Sequence, residues 1–156
     1  MIKFAAVLVG AVALVSAMAV QASDMKVSDP VIHKAFDKAR AAGGYMMIEN
    51  AGNADDKLVG VRIEGRMAMI HESREKDGIM EMAHVDEIAV PAGGMVMFKP
   101  GGYHVMIMGL TPGELPEGEM VDAVLVFENA GDVPITFMVT KPEMGHGAHT
   151  GHATTN

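Results

Sequence analysis

Turn signals recur about every ten residues between Tyr45 and Val139, and this spacing constrains the fold more than any other feature of the chain. Asn50-Ala51-Gly52-Asn53-Ala54-Asp55-Asp56, Asp77-Gly78, Pro91-Ala92-Gly93-Gly94, Lys99-Pro100-Gly101-Gly102, the Pro/Gly/Glu stretch Thr111 to Glu119 and Asn129-Ala130-Gly131-Asp132 all read as turns or loops. The pieces between them are too short for stable helices and are rich in β-branched and apolar residues. They predict strands at Tyr45 to Glu49, Leu58 to Ile63, Met67 to His71, Ile79 to Val85, Met95 to Phe98, Tyr103 to Met108, Val121 to Phe127 and Val133 to Val139. Met95–Phe98 and Tyr103–Met108, separated only by Lys99 to Gly102, are expected to pair antiparallel. Many short strands with polar turns indicate an all-β sandwich or small barrel.

The flanks read differently. Residues 1–22 resemble a secretory signal: Lys3, an apolar run from Phe4 to Val15, and small residues up to Ala22. Cleavage after Ala22 leaves a domain over 23–141 that works outside the cytoplasm, in the periplasm of a bacterium, with no stable membrane insertion. The apolar run falls short of the ~20 residues of a membrane span. Asp29-Pro30 followed by VIHKAFDKARAA and Gly43 has a cap, an early proline and a closing glycine, and predicts a short helix or helical turn. His33 within it reads as a surface or packing histidine. Residues 142–156 have almost no large apolar side chains and read as a flexible tail.

Composition removes whole classes of function. Net charge is −8, which argues against nucleic acid. There is no cysteine, so there is no disulfide, lipidated thiol, zinc–thiolate centre, iron–sulfur cluster, cysteine nucleophile or blue-copper site. Methionine, at 16 residues, is the outlier. Flexible core filling accounts for many methionines in most proteins, but it does not explain their fixed offsets from histidine.

Those offsets lie between His71 and Met106. Ten residues separate His71 from Met82, twenty-one separate Met82 from His104, and one separates His104 from Met106. In a strand, residues i and i+2 share a face about 6.5 Å apart, so His104 and Met106 can converge on one ion. Met108 shares that face as a spare ligand or a packing residue. Met80 and Met82 share a face of their own strand, and His71 is expected to end a neighbouring one. Thioethers are soft neutral ligands suited to Cu(I), and imidazole accepts copper in either state, whereas Mg and Ca want hard oxygen. His71, Met82, His104 and Met106 are therefore the candidate ligands of one Cu(I). His84 reads as surface.

The H-x10-M-x21-H-x-M spacing, with DGIMEM, VPAGG, FKPGGYHVMIMGL, IENAG and VFENAG around it, resembles the periplasmic copper chaperones of the PCuAC family over residues 44–140. The resemblance implies a cupredoxin-like Greek-key β-sandwich and the same four ligands at an exposed site. It also implies delivery of copper to the dinuclear centre of cytochrome c oxidase, alone or with a Sco-type assembly factor. The segment around 29–43 departs from the family, which commonly has a Trp and an extended chain there. Met144, His146, His149 and His152 lie in the Gly-rich tail and offer a second copper site, for Cu(II), as in family members with Met/His-rich extensions.

A carrier is the reading favoured over an enzyme: there is no His-x-His, no nucleophile–base arrangement and no phosphate loop. A copper-sequestering protein without a dedicated acceptor is the alternative.

Overall fold

A computed structural model describes residues 24–141. The signal-like segment and the tail, with Met144, His146, His149 and His152, lie outside them. Ten strands carry the described chain: β1 (Met25–His33), β2 (Ala41–Asn50), β3 (Asp56–Ile63), β4 (Met67–Lys76), β5 (Ile79–His84), β6 (Ile88–Val90), β7 (Met95–Phe98), β8 (Tyr103–Met108), β9 (Met120–Phe127) and β10 (Asp132–Thr140). They hydrogen-bond in the order β5-β4-β8-β7-β2-β1-β10-β9-β3-β6. Among these residues no helix is long and apolar enough to cross a membrane.

The sheet rolls up because its strands alternate. On β2, Ala42, Met46, Ile48 and Asn50 are buried while their odd-numbered neighbours are not. Val105 and Ile107 of β8, Leu125 of β9 and Phe137 of β10 are fully buried in the same core, beside Ile32, Leu58 and Val90. Each such side chain contributes about 1.5–3 kcal/mol of burial. Near the two ends of the sheet, β3 meets β4 at the isolated bridge Ile63–Arg66. One end of the sandwich is closed by polar contacts. Asn50 donates Nδ2–H to the carbonyls of Ala54 (2.8 Å) and Val90 (3.0 Å). The Asp56 carboxylate accepts from the backbone N–H of Lys57 (2.7 Å), Asn129 (2.9 Å) and Ala130 (2.8 Å). Burial alone would raise the Asp56 pKa, but these donors outweigh it and hold the carboxyl below its usual range.

Three expectations are corrected. The helix over Asp29–Gly43 does not form. Residues 25–33 are strand β1, antiparallel to β2 and parallel to β10 through Val31↔Met138, Ile32↔Val139 and His33↔Thr140. Asp29 has φ 51° at a bulge between Ser28 and Val31. Pro30 sits in that bulge, where its missing N–H breaks no ladder, and burial of Ile32 outweighs the capping pattern. Gly43 and Gly44 end no helix; they lie inside β2. Secondly, β7 and β8 do not form a hairpin. Both run antiparallel to β2, β7 along Met46–Glu49 and β8 along Ala41–Gly44, and their one shared rung is parallel. They are one line of chain interrupted by the Lys99–Gly102 excursion. Thirdly, β4 continues past His71 to Lys76, so His71 is a mid-strand residue. The Asp77-Gly78 turn is as expected: φ values of 53° and 77° give the primed geometry that favours tight hairpins.

Candidate metal centre

The centre lies on the outer face of the sheet where β5, β4 and β8 run side by side. Because Ile70, Val105 and Ile107 point into the core, His71, His104 and Met106 must point out. The register puts His71 directly opposite His104 on one side and His84 on the other. The ring centroids of His71 and His104 are 6.0 Å apart and nearly parallel, at 22°. His84 lies 5.5 Å from His71, edge-on. Met106 is one rung along from His104, opposite Met69. Met82, on β5, is one rung away in the other direction, opposite Ser73 of β4. The two histidines are thus brought together as adjacent partners. The two thioethers flank that rung on opposite diagonals, on long arms with three rotatable bonds. Met82, on the edge strand β5, is 55% exposed.

His104 is held firmly. It is only 5% exposed although it faces outward. Its Nδ1 lies 3.0 Å from the Gly102 carbonyl, so Nδ1–H donates there and Nε2 is left with its lone pair. The Lys99–Gly102 excursion makes this bond: the Gly102 carbonyl also accepts from Ser73 N–H on β4 (3.1 Å), and Gly102 N–H donates to Lys99 (3.0 Å). Tyr45 covers the other side, its ring 6.5 Å from His104 and 5.1 Å from His33. On β2, Tyr45 falls where the partner strand breaks, between Gly44↔Val105 and Met46↔Phe98. Its hydroxyl lies back over Gly43, where a Cβ would sit 2.5 Å from it. Burial raises the Tyr45 pKa, so the phenol stays neutral. The result is a file of five rings across five strands: His84, His71, His104, Tyr45 and His33.

His71 is poised differently. Its Nδ1 is enclosed and makes no hydrogen bond. Burial first, then the neighbouring His104 and His84, push its pKa below the usual histidine value; the Met69 carbonyl opposes this only weakly and lies outside hydrogen-bonding geometry. A neutral imidazole nitrogen with no partner is a cost that a bound cation would remove. Among the described residues, no three His, Asp or Glu side chains gather closely enough to hold an ion. Two imidazoles with thioethers beside them make a donor set that suits a soft metal ion.

Two roles were not legible beforehand. His84, read as surface, is half exposed and 3.3 Å from Asp86, yet directly flanks His71. Tyr45, read only as a strand residue, shields His104. The offset of Met82 and His84 by two residues was the available signal for the first; nothing local signalled the second.

Residues 25–139 match the family described as "Putative lipoprotein LpqE-like". A protein of Leifsonia xyli subsp. xyli (strain CTCB07) described as "Putative lipoprotein Lxx21020" is 28% identical over 113 residues, which cover 69% of this chain and 68% of that protein. The copper-bound PCuAC domain from PmoF2 is 27% identical with a TM-score of 0.63, covering 77% of this chain and 95% of its own. DR1885 from Deinococcus radiodurans, in its apo form, is 26% identical with a TM-score of 0.59, covering 90% and 94%. The same protein solved with Cu(I) is 24% identical with a TM-score of 0.58, covering 83% and 85%, and supports the fold. The expected cupredoxin-like β-sandwich and the resemblance to PCuAC domains are both borne out. The chain belongs to the LpqE-like family, with the fold of a PCuAC domain.

Proposed function

We propose that this protein is a copper carrier, not an enzyme, and that it holds one Cu(I) through His71, Met82, His104 and Met106. The observation that carries this reading is the His71–His104 rung, two facing imidazoles with thioethers on the same outer face. His104 offers Nε2 while Gly102 fixes its ring, and Met106 and Met82 close from either side. The neutral donor set favours Cu(I) over Cu(II). An exposed site at a sheet edge suits ligand exchange: an acceptor's donors replace Met82 first, because it is the most exposed of the four, and the histidines last. That the PCuAC domain of PmoF2 and DR1885 have copper-bound forms supports the choice of metal.

The acceptor in this reading is the dinuclear copper centre of cytochrome c oxidase, reached directly or through a Sco-type assembly factor. The lipoprotein descriptions of the family and of its Leifsonia relative support a place outside the cytoplasm, here the periplasm after signal cleavage. This sequence has no cysteine to carry a lipid. Met144, His146, His149 and His152 would add a Cu(II) site on the tail.

Cu(I) titration against a competing chelator tests the site. Met82→Leu and His104→Ala should each weaken binding at least about tenfold, which is about 1.4 kcal/mol, while removal of residues 142–156 should leave the first equivalent unchanged. Core variants with full affinity and a truncation without it would place copper on the tail instead. Mixing the Cu(I)-loaded protein with the soluble dinuclear-copper domain of the oxidase tests delivery. Copper that stays put would favour sequestration.

A further inference from the structure

The methionines of the described residues are on the wrong side of the sheet for core filling. Only Met25 and Met46 are buried. The others face outward, where a sandwich strand normally carries polar residues. Four pairs of them stand directly opposite each other on adjacent strands: Met47↔Met97, Met67↔Met108, Met69↔Met106 and Met120↔Met138. Two of these pairs are consecutive rungs, and both join β4 to β8. They continue the His71↔His104 rung along the same two strands.

That arrangement has the geometry of a ligand set. Directly opposite residues lie about 4.5–5.5 Å apart at Cα, and the next same-face rung is about 7 Å on. Three thioethers on such a patch, each with three torsions, can meet at one ion. The surroundings leave them room. On β2 the residue beside Met106 is Gly43 and the residue beside Met108 is Ala41. On the other side β5 ends at His84, level with His71, so β5 does not pair with Met69 or Met67; beyond the Ile63–Arg66 bridge β3 lies next to them without a continuous ladder. A groove opens there, lined by Met67 and Met69 on β4 and by Arg62, Glu64, Arg66 and Asp122 across from them. The side chains on these rungs are thioethers beside a glycine and an alanine, a soft donor set.

We propose that Met67, Met69 and Met108 form a second, all-thioether site for Cu(I), on the two same-face rungs beyond the His71–His104 pair. This rests on the copper reading above for the identity of the cargo. Met106, directly opposite Met69 and next to His104 on the same face, borders both sites and can serve either. A Cu(I) held by three neutral thioethers passes to the imidazoles by exchanging thioether for nitrogen, with no change of oxidation state and no proton released when the rings are already neutral. The patch then loads the primary site.

Full-length protein labelled at methionine methyls and histidine rings, titrated with Ag(I) as a redox-inert stand-in and then with Cu(I), tests the proposal by NMR. The first equivalent should move the His71 and His104 rings, and the next should move the Met67, Met69 and Met108 methyls. Met67→Leu/Met108→Leu should lose one bound equivalent and keep the ring response. Leucine conserves volume at these positions, so the fold is retained, and unchanged ring signals in the metal-free variant verify it. Silent Met67, Met69 and Met108 methyls at excess metal would overturn the site, as would an unchanged number of bound equivalents in the double variant. Methyl responses without any ring response would leave the thioether site standing and refute the histidine site.

Discussion

The lowered pKa of His71 makes a prediction that separates this centre from one built of ordinary histidines. A ligating imidazole must be neutral, so each proton displaced costs tenfold in apparent affinity per pH unit below the pKa of that ring. A histidine of ordinary pKa near 6.5 costs about twofold at pH 6.5 and about 11-fold at pH 5.5. Burial, and then His104 and His84, keep the His71 ring neutral to lower pH. Its share of the loss at pH 5.5 is therefore less than 11-fold, and a plot of log affinity against pH is shallower just below 6.5 than further down. The same shift acts on stability. The unfolded chain binds the proton more readily than the folded one, so His71's contribution is fully present above about pH 6.5 and is lost as pH falls from there through its folded pKa.

Two assays check this. Ring NMR of the metal-free protein should show His71 titrating below the ordinary value, and Cu(I) competition at stepped pH should give the two-slope plot. His84→Ala tests the cause. It removes one of the two neighbouring charges, so the His71 pKa should rise towards the ordinary value without reaching it, because burial is the larger influence. A His71 ring titrating at or above 6.5, or Cu(I) affinity flat down to pH 4.5, would refute the reasoning.

Three further outcomes follow from the packing. Gly43→Ala puts a Cβ 2.5 Å from the Tyr45 hydroxyl, so the Tyr45 ring must move; the His104 ring resonances should shift with it, and unchanged His104 signals would refute Tyr45 as its cover. Phe137→Ala empties a fully buried position in the core and should lower unfolding free energy by about 3–5 kcal/mol in urea, with a loss under about 1 kcal/mol contradicting the core assignment. Asp56→Ala strips the acceptor from three backbone N–H groups and should cost at least about 1–3 kcal/mol. The wild-type carboxylate contribution is full above the ordinary Asp pKa of about 3.9 and is lost as pH falls through the lowered folded value, so the variant should show a weaker acid dependence.

What could be read along the chain was whatever depends on local spacing. Alternation alone put His104 and Met106 on one face, and Asp77-Gly78 alone set the β4–β5 hairpin that carries Met82 back beside β4. What could not be read depends on pairing between distant segments. Asp29-Pro30 satisfies the local rules for a helix start, and only the Val31–His33 rungs to β10, about a hundred residues later, show why it is a bulge. Lys99–Gly102 has the composition of a hairpin turn. Because β2 lies alongside both β7 and β8, it is instead a jog that interrupts one line of chain. That misread detail is central to the candidate centre. A hairpin would have turned β8 back along β7 and closed it off from β2. The jog lets β8 continue in line, aims the Gly102 carbonyl at His104 Nδ1, and opens the gap in which Tyr45 sits. The glycines of Lys99-Pro100-Gly101-Gly102 are thus part of the candidate centre. They orient one imidazole so that its other nitrogen is free, which spacing between ligands could not reveal.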